Sequence, residues 1–457
     1  MAFPELDRIR AHIADMQVIT YFGRVAEVSG GTIMVTGLNR HARLGDRILL
    51  RCEGGQRIGG EVIGLTADRA QVLADCAPDG VGIGDRVDLL DAKGIAPDAS
   101  WIGRVIDPFG QPLDGMPLQR GLVTRDLRSN PPPAAQRRRL GQRLETGICT
   151  FNTLLPLVRG QRIGLFAGSG VGKSTLLAQF AKGVSADVVV LALIGERGRE
   201  LREFVEKVLG SEGMARSVII AATSDQSPLV RRRCAWAAMT VAEYFRDQGK
   251  QVLFLADSVT RFAEAHREVA LAAGEAPSLR GFPPSVSHQI MSLAERTGPG
   301  IDGTGDITAI FSVLVAGSDM EEPVADILRG TLDGHVVLDR SIAERGRFPA
   351  VDLLRSVSRS LPDAANETEN ALIARARKLL GAYDRAEMMI QAGLYAHGSD
   401  PVIDAAIRVW SALDGFLGQA EPQTVADSFV KLAQILSRAD DAGKRETVQM
   451  AQMQRAS

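Results

Sequence analysis

One stretch restricts this chain more than any other: residues 161–175, QRIGLFAGSGVGKST, an apolar run that breaks into a glycine-rich turn and ends in Lys-Ser-Thr. Residues 161–167 read as a buried strand. Gly168, Gly170 and Gly172, with Ser169 and Val171 between them, let the backbone wrap a polyphosphate with its N–H groups turned inward. Lys173 follows to neutralise the β and γ phosphates, Ser174 offers a hydroxyl to Mg²⁺, and Thr175 stands beside it. A helix over about 174–182 then aims its positive dipole end at the anion. The strict G-x-x-x-x-G-K-[ST] pattern would have glycine at 167; Ala167 fits the same turn only with a negative φ. Strand, turn, Lys-Ser and helix in this order predict a site for ATP with Mg²⁺ in an α/β domain.

The 457 residues suggest about three domains at roughly 150 residues each. Lys and Arg total 53 against 55 Asp and Glu, so no overall basic field calls for nucleic acid or an anionic membrane. Cys52, Cys76, Cys149 and Cys234 are scattered with no CxxC pair, which suits idle thiols in a reducing compartment. His12, His41, His266, His288, His335 and His397 form no metal-binding motif. The N-terminus, MAFPELDRIR, carries charges where a signal peptide needs an apolar core, and no run approaches the roughly 20 apolar residues of a membrane helix. A cytoplasmic location is expected.

Along the chain, Leu6, Ile9, Ile13 and Met16 predict a short amphipathic helix over 3–16, fit for packing on its own domain or on a partner. From 20 to about 91, short β-like runs broken by Gly, Asn and Asp predict a small barrel or sandwich, a structural collar with no catalytic cluster. Residues 95–100 read as a linker, 101–117 as an extended hairpin, and Arg137 to Arg139 as solvated surface. Between 161 and about 316, apolar strands alternate with helices, the pattern of a parallel sheet whose ligands sit at the strands' carboxyl ends. After about 361 the stripe Leu372, Ala376, Leu379, Tyr383, Ala386, Ile390 marks a helical domain. There, Asp400 and Pro401 open a further helix with Ile403, Ala406, Trp410, Leu413 and Leu417 on one face. The expected division is 1–19, amphipathic segment; 20–95, barrel; 96–362, ATPase core; 363–457, helical domain.

Splitting a terminal phosphate needs a cradle, a metal, a group that orients water, and positive charge for the transition state. Asp257 ends the run QVLFLAD and is the candidate beside the metal. Glu196 follows DVVVLALIG, where it positions and polarises the attacking water or, alternatively, pairs with Arg197 or Arg199 in an exposed loop. Arg359, in LLRSVSRS, is a candidate arginine finger for a neighbouring subunit, but spacing does not separate it from Arg355 or Arg347.

AGSGVGKST, LIGERGRE, LFLADSVTRFAEA, RGFPPSV, GTLDGHVVLDRSIAERGRFPAVD and SVSR, in that order, resemble the flagellum-specific ATPases that energise type III protein export. The resemblance runs from about 101 to 400. It implies a homohexamer related to the α and β subunits of the rotary ATP synthase, with a barrel, a RecA-like core and a C-terminal helical domain. By motif it implies Lys173 and Ser174 as phosphate lysine and magnesium ligand, Glu196 as catalytic glutamate, and Asp257 as the Walker B aspartate at the metal. It further implies Arg359 as the finger, Arg197 as the catalytic-loop arginine, and Phe348 as the aromatic against adenine. The implied partners are a stator-like regulator, a coiled-coil stalk, a membrane export gate and export substrate–chaperone complexes, at the inner membrane's cytoplasmic face. The segment SHQIMSLAERTG departs from the spacing of many relatives near the central pore.

A virulence-type secretion ATPase shares this chemistry. The rotary catalytic subunit usually shows GGAGVGKT in place of AGSGVGKST and an acidic C-terminal helix absent here. A hexameric nucleic-acid translocase would want basic residues interleaved with aromatics in the barrel, where only Tyr21 and Phe22 are offered. A non-catalytic assembly subunit would have no use for Glu196 and Asp257.

Overall fold

The computed structural model describes residues 9–11, 13, 18–90, 94–315, 320–419 and 424–439. The helix expected over 3–16 therefore lies largely outside the described residues.

Six strands close a barrel: β1 (Phe22–Ser29), β2 (Thr32–Thr36), β3 (Arg47–Arg51), β4 (Arg57–Leu65), β5 (Arg69–Ala74) and β6 (Arg86–Leu90), in the order β1-β2-β5-β4-β3-β6. Alternate residues such as Ile33, Val35, Ile48, Leu50, Val72 and Val87 fill it. The barrel is tied to the next domain through buried charge. Glu61 on β4 accepts from Arg232 at 2.7 Å and Arg128 at 3.2 Å, and Gln71 donates to the carbonyl of Ala272. Arg47 and Arg233 both lie over the ring of Phe109.

The expected linker at 95–100 is packed instead. β7 (Gly94–Ile95) pairs with β9 (Arg125–Asp126), and Ile95, Ala96 and Trp101 are buried against the central sheet. The 101–117 segment turns back on itself as expected, with β8 (Val105–Ile106) at the sheet's edge and Leu113 donating to the carbonyl of Val105.

The remaining strands of the eight-stranded sheet are β10 (Arg162–Ala167), β11 (Val188–Glu196), β12 (Ser217–Thr223), β13 (Val252–Asp257), β14 (Ile307–Leu314), β15 (Gly334–Leu338) and β16 (Val351–Ser358). Their order is β16-β15-β10-β14-β13-β11-β12-β8. All neighbours run parallel except the edge pair β15–β16. Helices cover both faces, so the central strands are apolar throughout. The segment SHQIMSLAERTG largely forms the helix Ser285–Glu295. Arg137 and Arg138 are not merely solvated. They clamp a crossing loop, Arg137 donating to the carbonyls of Glu295 and Thr297, Arg138 to Asp306 at 2.6 Å.

The C-terminal part holds the helices Glu367–Gln391, Pro401–Gly418 and Val425–Ser437. Asp400 caps the second as expected, accepting from the N–H groups of Val402 and Ile403. The rings of Tyr383 and Trp410 stack at 4.6 Å between the first two. Among the described residues, no helix is long and apolar enough to cross a membrane.

Candidate active site

β10 delivers the chain to the cradle. Ala167 is its last residue, buried between Leu314 of β14 and Leu338 of β15. Arg280 is the sole non-glycine with positive φ among the described residues, so Ala167 meets the condition the turn sets. The left-handed turns fall on Gly170 (φ +79°) and Gly172 (φ +89°), where only glycine is unstrained. Gly172 caps the helix Lys173–Gly183. A Cβ at Gly172 would come within 3.2 Å of the Phe348 ring, so this half-exposed aromatic lies directly over the turn.

The turn opens on a cleft of about 390 Å³. Gly168, Ser169, Gly170, Gly172, Lys173, Ser174 and Thr175 line it on one side, Glu196 and Arg197 on the other. Val171 is the exception. Its side chain is buried in the core beneath, so it can meet a ligand only through its backbone.

Parallel pairing of β11 and β13 brings two strand ends together, with Leu193 opposite Asp257. Asp257 is buried, and its Oδ1 accepts from both Lys173 Nζ and the hydroxyl of Ser312. Glu196, Asp257 and Ser174 also line an adjoining cavity of about 230 Å³ whose far wall is Leu193, Leu201, Phe204 and Val208. The Glu196 carboxyl is pushed up from its ordinary 4.5 to about 7. Burial is the main cause, the negative charges of Asp257 and Glu200 add to it, and Lys173 offsets part. Arg197 is exposed at the rim and pairs at 3.1 Å with Glu200, so it leaves the Glu196 carboxylate to the cleft.

A magnesium ion is tested by the donors present. Among the described residues no group of three or more His, Cys, Asp or Glu could cage a metal. Ser174 offers a hydroxyl and Asp257 a carboxylate to a cavity that Glu196, Glu200 and Glu203 also line. That is the donor set of a hard cation bound chiefly through substrate phosphates and water, and it fits Mg²⁺.

Arg359 stands elsewhere. It follows β16, its N–H donates to the carbonyl of Asp333 at 2.9 Å, and its exposed guanidinium to the carbonyl of Arg329 at 3.3 Å. Gly334 pairs with Ser358, so Arg359 lies at the amino end of β15, and thus of neighbouring β10. That is a strand's length from the cradle, roughly 16 Å at ~3.3 Å per residue. Arg347, its rival in spacing, is buried, ion-pairs with Asp414 and donates to the carbonyl of Val351.

Sequence reasoning passed over Arg261, Glu200 and Ser312. Arg261 and Glu200 both line the cleft. Each stands four residues after a strand-end acid, Asp257 or Glu196, and that spacing was the available signal. Ser312 lies inside an apolar strand and gives no such signal.

The sequence and the fold are similar to those of known proteins. The nucleotide-binding domain of the ATP synthase alpha/beta family matches residues 147–358, and the C-terminal domain of the type III secretion ATPase EscN matches 365–434. A flagellum-specific ATP synthase of Caulobacter vibrioides is 45% identical over 93% of this chain and 98% of its own length. The chain belongs to the flagellum-specific ATP synthase family. The member from Salmonella typhimurium is 41% identical over 91% of this chain and 93% of its own. The assembled ATPase EscN of enteropathogenic E. coli superposes with a TM-score of 0.84 at 37% identity, covering 91% of this chain and all of that one. EscN in complex with its central stalk EscO gives 0.82 at the same identity and coverage. The chain is therefore an ATPase of the type III export class with an ATP synthase-like core. The readings as rotary subunit and as nucleic-acid translocase are set aside.

Proposed function

We propose that this chain hydrolyses Mg²⁺-ATP as a subunit of a homohexamer that energises flagellar protein export. One observation carries the catalytic reading: Lys173, Glu196 and Asp257 converge at neighbouring strand ends, while an exposed Arg359 stands at the far end of the same sheet.

In this mechanism the N–H groups of residues 168–175 hold the phosphates, and Lys173 leaves Asp257 to neutralise the β and γ oxygens. Ser174 and Asp257 would hold Mg²⁺, which would supply positive charge against the charge developing on the phosphates. Glu196 orients a water in line with the γ-phosphorus and takes its proton as the oxygen–phosphorus bond forms and the bond to ADP breaks. A carboxyl titrating at about 7 suits that task near neutral pH. Arg197 guards the rim, and Phe348 stacks on adenine. Arg359 reaches the γ-phosphate of a neighbouring subunit, where it spreads the transition-state charge.

The flagellar reading rests on the named relatives; a virulence-type export role shares the site and differs only in partners. By likeness to EscN with its stalk EscO, a coiled-coil stalk is the proposed axial partner. A stator-like regulator at the N-terminal segment, the export gate and export substrate–chaperone complexes complete the set, and they place the chain at the inner membrane's cytoplasmic face. The amphipathic segment 1–19, barrel 20–95, core 96–362 and helical domain 363–457 are the proposed working units. Hydrolysis per subunit measured against protein concentration tests this reading. A rate that climbs as subunits associate supports it, and no Mg²⁺-dependent hydrolysis at any concentration refutes it.

A further inference from the structure

We propose that Ser312 is a positioning residue of the phosphate site: its hydroxyl fixes the Asp257 carboxylate while Lys173 moves between that carboxylate and the nucleotide. This deepens the proposed function and rests on its assignment of Lys173 to phosphate and Asp257 to the metal.

Ser312 sits within β14, a strand otherwise built mainly of buried apolar residues, and is itself wholly buried. A hydroxyl at such a place costs stability unless it is bonded. Parallel register sets Phe311 opposite Ala256, which brings Ser312 alongside Asp257. Its Oγ donates to Asp257 Oδ1 at 2.8 Å, the oxygen that also receives Lys173 Nζ. Both donors thus use one oxygen, and Oδ2 lies outside both bonds.

The two donors differ in what a nucleotide does to them. Lys173 lies on the cleft and is drawn to the phosphates, so it gives up its bond to Asp257 when the site fills. Ser312 is locked in the sheet and stays. Without it, a carboxylate that has just lost its cation would be free to rotate about its side-chain torsions. With it, Oδ1 remains tethered and the carboxylate keeps its orientation. Groups that hold a metal-side ligand in this way typically contribute about 10–100-fold to metal affinity or activity.

The test is equilibrium binding of a fluorescent ATP analogue to the full chain, in EDTA and in Mg²⁺, for wild type, Ser312→Ala, Ser312→Thr and Asp257→Asn. Wild type and Ser312→Thr are expected to bind more tightly with Mg²⁺. Ser312→Ala is expected to lose about 10–100-fold of that tightening while binding in EDTA stays as in wild type. If Ser312→Ala does not fold, Ser312→Cys, similar in size and a poor donor, carries the same expectation. A wild-type Mg²⁺ response in the Ala or Cys variant overturns the proposal, as does equal weakening with and without Mg²⁺. Asp257→Asn separates the two levels. If it loses the Mg²⁺ response while Ser312→Ala keeps it, Ser312 alone is misassigned; if it keeps the full response, the reading of Asp257 falls and this proposal with it.

Discussion

At the carboxyl ends of β10, β11 and β13, Lys173, Glu196 and Asp257 converge on one cleft, where burial and the Asp257 charge push the Glu196 carboxyl up and Ser312 bonds Asp257. At the amino ends of β10 and β15 Arg359 is exposed, and its guanidinium donates to the backbone carbonyl of Arg329. The first region gathers its charges within one chain, Lys173 bonded to Asp257 and Glu196 beside them. The second offers an exposed cation held by a backbone carbonyl. Arg347, by contrast, has its side chain largely covered and ion-paired with Asp414. One sheet thus carries most of a site at one end and the missing piece of another site at the opposite end.

The largest effect that separates the two regions belongs to Arg359→Ala, which is expected to lower turnover by about 10³–10⁵ at concentrations where subunits associate. Nucleotide binding to the isolated chain should be untouched. Weakened binding in the unassociated chain would erase the distinction between the ends.

Glu196→Gln should cut turnover by about 10²–10⁴ while nucleotide still binds. Since Glu196 titrates at about 7, the wild-type rate should rise with pH through that value, and the variant's residual rate should be flat there. Stability runs the other way. The folded carboxyl holds its proton above the ordinary 4.5, so its favourable contribution is complete below that pH and is lost as pH rises through about 7. The melting temperature of wild type relative to Glu196→Gln should therefore fall between pH 5 and pH 8, each value approximate. An unchanged difference would mean that Glu196 titrates normally.

Arg347→Ala sharpens the contrast from the structural side. It removes an ion pair with Asp414 and a bond to the carbonyl of Val351, and should cost about 1–3 kcal/mol in denaturant unfolding. Any lost turnover should track the unfolded fraction. The smallest effect is expected at Phe348. Losing an aromatic stack worth about 0.5–1.5 kcal/mol should raise KM for ATP roughly 2–10-fold in Phe348→Ala and leave Phe348→Tyr close to wild type.

The barrel, the parallel core and the helical end were legible in the sequence because each has its own period and punctuation. The cradle was legible because glycine and Lys-Ser placement has few other uses. What escaped was set by tertiary neighbours. β15 is only five residues long, and β16 is an edge strand with Leu354, Arg355 and Val357 exposed, so neither shows the apolar run of the inner strands. Arg137 and Arg138 look like a solvated run until a loop about 160 residues later passes within bonding distance. Val171 belongs to the cradle by sequence and to the core by side chain. Ser312 matters only because sheet register puts it beside Asp257.

The central claim, that each site is finished by the opposite end of another copy's sheet, is most directly tested by mixing two inactive variants. Arg359→Ala keeps Lys173, Glu196 and Asp257; Glu196→Gln keeps Arg359. Assembled together, they are expected to form interfaces that pair an intact cradle with an intact Arg359, and the mixture should hydrolyse ATP well above either variant alone. A mixture no more active than the average of the two would contradict the account.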